Sequence, residues 1–148
     1  MGAGKSTVGE RVAASLGRLF VDLDERVVAA EGVDIPTLFE EERFRAVEAR
    51  HLAEVLTGAP VVLATGGGTP CQPGVMSQLL EAGWVCYLEV PLAELRRRVG
   101  QDGGRPLWDQ EVEARFNARL PVYRRAHAVV RGEGVDVAER VLRSWHAR

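Results

Sequence analysis

Apolar positions along the chain recur with two periods, and segments of the two kinds alternate. Val8, Val12, Ala13 and Leu16 fall at helical spacing. Leu19-Phe20-Val21-Asp22 follows as a short apolar run that reads as a buried strand. A helix over 24–30 is stopped by Gly32, and a short helical piece over 35–39 follows Asp34. Phe44, Val47, Leu52, Val55 and Leu56 mark one long helix over 40–56. Residues 60–65 read as a buried strand running into Gly66-Gly67-Gly68. A helix over 73–82, a strand over 84–90 and a helix over 92–99 come next, then a glycine-rich loop over 101–108. The chain closes with a helix over 111–125, a strand over 128–130 and a helix over 137–146. Strands that alternate with helices through short connections predict an α/β fold with a parallel sheet covered on both faces. There is no internal repeat, linker or low-complexity stretch.

Composition narrows the picture without changing it. The 148 residues suit a single domain with one core. Apolar residues make up 46% and charged residues 27%, an ordinary globular balance. No apolar run approaches the roughly 18 residues of a membrane-spanning helix. Nineteen basic against 21 acidic residues give none of the basic excess of a generic nucleic-acid binder. Cys71 and Cys86 form no CxxC and no disulfide framework, so a reducing cytosol is the default setting. His51, His127 and His146 lack metal-ligand spacing and read as surface or packing residues.

One count carries more. Of the 19 cations only Lys5 is a lysine. In a chain that uses arginine wherever a cation serves, the surviving lysine marks a place where a compact charge on a slim stem is needed. It sits in Met1-Gly2-Ala3-Gly4-Lys5-Ser6-Thr7, which matches the end of G-x-x-x-x-G-K-[ST]. In such a loop the glycines let backbone N–H groups close on phosphate oxygens, and the following helix points its positive end at them. The lysine reaches the outer phosphates, and the Ser6 hydroxyl is placed to ligate Mg²⁺. The same residues fit a myristoylation pattern, but no polybasic patch supplies a second membrane signal.

Ligands of open α/β sheets sit at the carboxyl ends of the strands. Asp22 and Asp24 fall there, two apart. Such a pair can divide the work, one acid holding Mg²⁺ and the other orienting a hydroxyl or taking its proton. A plainer reading makes Asp24 the cap of the next helix. Gly66-Gly67-Gly68, after an apolar strand, reads as a place of close backbone approach to a ligand.

The order GxGKST, D-x-D, FRxxE, GGG, RPL and R-x-P-x-Y resembles shikimate kinase, over nearly the whole chain from Met1 to Arg143. The first motif alone is common; the ordered set is specific. The resemblance implies a P-loop kinase of three-layer α/β/α architecture. It implies a single domain over 1–148, with a substrate-binding segment at about 24–52 and a lid at about 101–112. The implied reaction moves the γ-phosphoryl group of ATP to the 3-hydroxyl of shikimate, on the route to aromatic amino acids. The implied partners are ATP, Mg²⁺ and shikimate on a monomer, with no nucleic acid or membrane.

Residue by residue, the resemblance assigns the phosphates to Lys5 and the amides of Gly2, Ala3, Gly4, Ser6 and Thr7. Ser6 would ligate Mg²⁺ with Asp22 behind it. Asp24 would contact the shikimate hydroxyls as candidate base. Arg45 and Arg119 would hold the carboxylate, and Gly66, Gly67 and Gly68 would approach the ring, Gly67 as hydrogen-bond donor. Arg105 would reach the transferring group from the lid, and Arg98 would lie along the adenine. Two arginines suit a carboxylate because forked pairing fixes orientation as well as charge. A bland reading of Arg45 is a surface ion pair in a glutamate-rich helix, contributing about 0–1 kcal/mol.

Three departures stand out. The family opens with an apolar strand and a first P-loop glycine, which would fall ahead of Met1. The expectation is therefore that the first central strand is missing from this chain, that the true start lies upstream, and that the 148-residue form alone is poorly folded or inactive. The stretch between Phe39 and Phe44 is shorter than in many relatives, and Trp108 stands where an aliphatic residue is usual. The rival readings are a gluconate- or nucleoside-monophosphate-type kinase, and an inactive P-loop remnant.

Overall fold

The computed structural model describes residues 3–101, 110–132 and 136–148. The expected lid loop, with Arg105 and Trp108, and Gly2 of the phosphate loop lie outside the described residues. Helix α1 (Lys5–Leu16) leads to strand β1 (Leu19–Asp22), followed by α2 (Leu23–Glu31), α3 (Ile35–Glu40) and α4 (Phe44–Thr57). Strand β2 (Val61–Ala64) runs into a short 3₁₀ turn (Thr69–Cys71) and α5 (Val75–Ala82). Then come β3 (Cys86–Glu89), α6 (Leu92–Gln101), α7 (Gln110–Tyr123), β4 (Ala128–Arg131) and α8 (Val137–His146).

The strands pair in parallel, as the alternation of elements requires. Leu19 to Asp22 run beside Val61 to Ala64, and Cys86 to Glu89 beside Ala128 to Arg131. The described strands form two parallel pairs, β1–β2 and β3–β4, where the sequence predicts one ladder. Between the pairs lies a largely apolar cavity of about 670 Å³, lined by Val12 and Leu16 of α1, Val62, Leu88, and Val141 and Trp145 of α8. β1 is also less buried than its apolar run suggests: as an outer strand it leaves Leu19 75% exposed.

Three apolar clusters hold the layers. Val12, Val130, Val137, Ala138 and Val141 join α1, β4 and α8. Val27, Leu38, Phe44 and Val47 join α2, α3 and α4. Leu23, Leu52 and Leu79 lock α2, α4 and α5 together. The second and third clusters fix α4, which carries Arg45 and Glu48, against the rest of the molecule.

The short helix expected over 35–39 is α3, and the long one expected over 40–56 starts four residues later, as α4, because residues 41–43 form a turn. After Glu40 the chain turns through Glu42, whose φ of 54° is left-handed. The Arg43 N–H bonds the Leu38 carbonyl at 3.1 Å and the Glu42 N–H bonds that of Phe39 at 3.0 Å. Those two bonds make a Schellman stop, which ordinarily places glycine at the left-handed residue. Phe39 and Phe44 stack across the break at 4.4 Å between ring centroids. The break turns α4 so that Arg45, in its first turn, comes out beside the glycine triplet.

Candidate active site

Helix α1 starts on Gly4, which takes left-handed φ 75°. No side chain caps it, and no acid lies in its first turn. Its leading N–H groups and the positive end of its dipole are therefore open to an anion. Helix α2 is built the opposite way. Its N-cap is Asp22, whose Oδ1 accepts from the N–H groups of Asp24 (3.0 Å) and Glu25 (3.3 Å). Of the acid pair it is thus Asp22, not Asp24, that caps the helix, and Asp24 is left free for other work.

The other oxygen of Asp22 accepts from the Ser6 hydroxyl at 2.7 Å. This bond ties the start of α1 to the end of β1 and sets one hydroxyl and one carboxylate side by side. That donor set fits Mg²⁺, which binds few protein oxygens and keeps water and phosphate for its remaining positions.

Lys5 and Asp24 face each other electrostatically. Burial pushes the Lys5 ammonium below its ordinary value, opposed by the charges of Asp24 and Asp22. Burial also pushes the Asp24 carboxyl up, aided by the charges of Asp22 and Glu48 and opposed by Lys5 and Arg45. Asp24 is thus an acid held above its usual range, next to a cation, at the end of a parallel strand. Such a group is a better proton acceptor than an ordinary aspartate.

The triplet Gly66-Gly67-Gly68 is where the remaining candidates converge. None of the three has positive φ; what they supply is room. A Cβ on Gly66 would lie 3.1 Å from Asp24 Oδ1. One on Gly67 would lie 3.2 Å from the Tyr123 hydroxyl and 3.5 Å from Arg119 Nη1. One on Gly68 would lie 2.6 Å from Arg45 Nη2 and 3.2 Å from Arg119 Nη2. Arg45 from α4 and Arg119 from α7 thus bring their guanidinium groups to the same glycine. Two cations held this close on one turn invite an anion between them.

Arg45 is not in a surface ion pair. Its Nη1 donates to Glu48 Oε2 at 2.7 Å, and Glu48 is almost wholly buried. The other carboxylate oxygen of Glu48 accepts from the Thr69 hydroxyl at 2.6 Å, and Thr69 is buried too. Glu48 therefore fastens Arg45 to the turn that follows the glycines. The Tyr123 hydroxyl donates to the Gly67 carbonyl at 2.6 Å. The sequence motifs contain Glu48 and Tyr123 but assign them nothing. Their signals are spacing: Glu48 lies three residues after Arg45 and Tyr123 four after Arg119, each on its arginine's helix face. Thr69 has no comparable signal.

Lys5, Ser6, Asp22, Asp24, Arg45, the glycines and Arg119 thus surround one cleft. Ala3 and Gly4 lead into it, whereas Thr7 is exposed on α1. Arg98 lies on α6 with its side chain outside the described residues, and Arg105 lies wholly outside them. Among the described residues no cluster of three or more His, Cys, Asp or Glu could hold a metal.

A parallel α/β core, an open helix terminus behind a lysine loop, and an acid and arginines at the strand ends define a P-loop kinase acting on a small anionic acceptor. A family model for shikimate kinase matches residues 1–146. A shikimate kinase of Dechloromonas aromatica is 43% identical over 141 residues, covering 89% of this chain and 77% of that protein. Among solved structures, shikimate kinase from Acinetobacter baumannii in complex with shikimate superposes with a TM-score of 0.87 at 34% identity, over 99% of this chain and 89% of that one. Shikimate kinase from Aquifex aeolicus gives 0.86 at 31% identity, over 99% and 92%. The chain belongs to the shikimate kinase family.

Proposed function

We propose that this cleft transfers the γ-phosphoryl group of ATP to the 3-hydroxyl of shikimate, giving shikimate 3-phosphate and ADP on the route to aromatic amino acids. The observation that carries the acceptor is the meeting of Arg45 and Arg119 at Gly68, in the same cleft as Lys5 and Asp24. A ring acid with one carboxylate and several hydroxyls has its charge answered by the two arginines, and that grip turns a hydroxyl toward Asp24.

Each residue then has a task. The amides of Gly2, Ala3, Gly4, Lys5, Ser6 and Thr7 and the Lys5 ammonium take the nucleotide's phosphates. Ser6 and Asp22 hold Mg²⁺, which when bound neutralises phosphate charge as transfer proceeds. Asp24 orients the acceptor hydroxyl and takes its proton. Phosphoryl transfer asks for positioning and charge neutralisation more than covalent chemistry, and these residues supply both. Arg105, within a lid at about 101–112, meets the transferring group, and Arg98 lies along the adenine. Residues 24–52 form the substrate-binding segment of a single domain over 1–148. No helix among the described residues is long and apolar enough to cross a membrane. From its two unbridged cysteines we place the reaction in the reducing cytoplasm.

The test is ADP release by the purified chain with ATP–Mg²⁺ and one acceptor at a time. Release that depends on shikimate, and not on gluconate or a nucleoside monophosphate, is expected; it would also overturn the expectation that the 148-residue form alone is inactive. Release that depends on either of the others overturns the acceptor.

A further inference from the structure

We propose that Tyr123 is a positioning residue for the acceptor site: its hydroxyl holds the Gly67–Gly68 peptide in the one orientation in which the glycine turn and Arg119 present a joint surface to shikimate. The proposal rests on the shikimate reading above.

The geometry is specific. Tyr123 Oη donates to the Gly67 carbonyl at 2.6 Å, across 56 residues of chain. A peptide is planar and trans, so fixing that carbonyl on the phenol turns the Gly68 N–H the opposite way. Among the described residues nothing accepts from the Gly67 or Gly68 N–H, which leaves both available to a ligand oxygen. The glycines cannot set this orientation themselves, because glycine is the residue least restrained in φ and ψ. The rest of the turn is tied elsewhere. The Gly66 carbonyl accepts from the Thr69 N–H at 3.2 Å, and the Gly68 carbonyl from the Gln72 side chain at 3.1 Å. At the middle residue the Gly67 carbonyl also meets the Cys71 thiol at 3.9 Å, but the short bond from Tyr123 supplies the main restraint.

The phenol is itself fixed. Its ring lies against Tyr87 with centroids 5.1 Å apart. It is the last residue of α7, one turn after Arg119, so both side chains leave the helix on one face. Burial pushes its hydroxyl above the ordinary tyrosine value, which keeps it a neutral donor. A shift of α7 would therefore move Arg119 and the Gly67 carbonyl together.

Tyr123→Phe keeps the ring on Tyr87 and removes only the donor. The expected result is a shikimate KM raised about 3- to 10-fold, the worth of one hydrogen bond. KM for ATP and kcat should stay close to wild type, and the melting temperature should fall by no more than a few degrees, as loss of one hydrogen bond implies. A shikimate KM that does not move, or that rises in step with KM for ATP, overturns the proposal. A second readout needs no substrate: amide hydrogen exchange at Gly67 to Thr69 should quicken in Tyr123→Phe while α5 and α8 keep their protection. Unchanged exchange there also overturns it. If the wild-type chain turns over with a different acceptor, the shikimate reading falls, and the exchange comparison still decides whether Tyr123 tethers the turn.

Discussion

Arg45 and Glu48 form an ion pair at 2.7 Å whose acidic partner is almost wholly buried. A carboxylate in that position is tolerable only because both oxygens are used, one by Arg45 and one by Thr69. Glu48→Ala leaves the Thr69 hydroxyl buried without a partner and frees Arg45 to swing away from Gly68. We expect a loss of about 1–3 kcal/mol in stability and a clear rise in the shikimate KM, with KM for ATP little changed. Chemical denaturation and steady-state kinetics check the two halves separately.

The raised Asp24 fixes a pH dependence. Its carboxylate form, the one a base requires, is reached only at a pH above that of an ordinary aspartate. The acidic limb of kcat/KM should therefore lie above the ordinary value of 3.8. Glu48→Gln removes one of the charges that push Asp24 up, so the limb should move to lower pH. For stability the sign is the reverse of a salt-bridged acid. A group whose folded pKa is raised stabilises most fully below its unfolded pKa, and that contribution is lost as pH rises through the folded value. Asp24→Asn should thus be inactive yet melt no lower than wild type at pH 7, with any gain vanishing below the unfolded value.

Lys5 shows the same tension between stability and function. Burial disfavours its charge, and the neighbouring acids restore only part of it. Lys5→Met keeps the stem and removes the ammonium. Turnover should fall by at least about 100-fold, as when a preorganised charge donor is removed from a transition state. The melting temperature should hold or rise.

Gly9 has a purely structural task. A Cβ there would collide with the ring of Phe20, where α1 packs against β1. Gly9→Ala should cost about 1–3 kcal/mol by overpacking, although alanine is the better helix former. A denaturation midpoint equal to wild type would contradict this packing.

Much of this was legible in the chain. β1 ends at Asp22 as its apolar run does, and α3 starts after Asp34, whose side chain accepts from the Thr37 N–H at 2.9 Å. Caps and apolar periods are local and can be read locally. That the turn between α3 and α4 takes in residues 41–43 was not legible, because a glutamate fills the left-handed position where glycine normally signals the stop. Nor could the acid pair be sorted, since either aspartate has the chemistry of a cap, and only the fold puts Ser6 against Asp22. Spacing ties Glu48 and Tyr123 to their arginines, but their bonds to Thr69 and to the Gly67 carbonyl span 21 and 56 residues, and no spacing rule reaches that far.

The central claim is that one cleft brings a nucleotide's outer phosphate to a hydroxyl of shikimate. Phosphorus NMR of the chain with ATP–Mg²⁺ and shikimate tests it most directly. The account predicts a new phosphate-monoester resonance, coupled to the ring proton at C3, that grows in step with ADP and needs both substrates. Growth of inorganic phosphate alone alongside ADP, with no monoester formed, would contradict it.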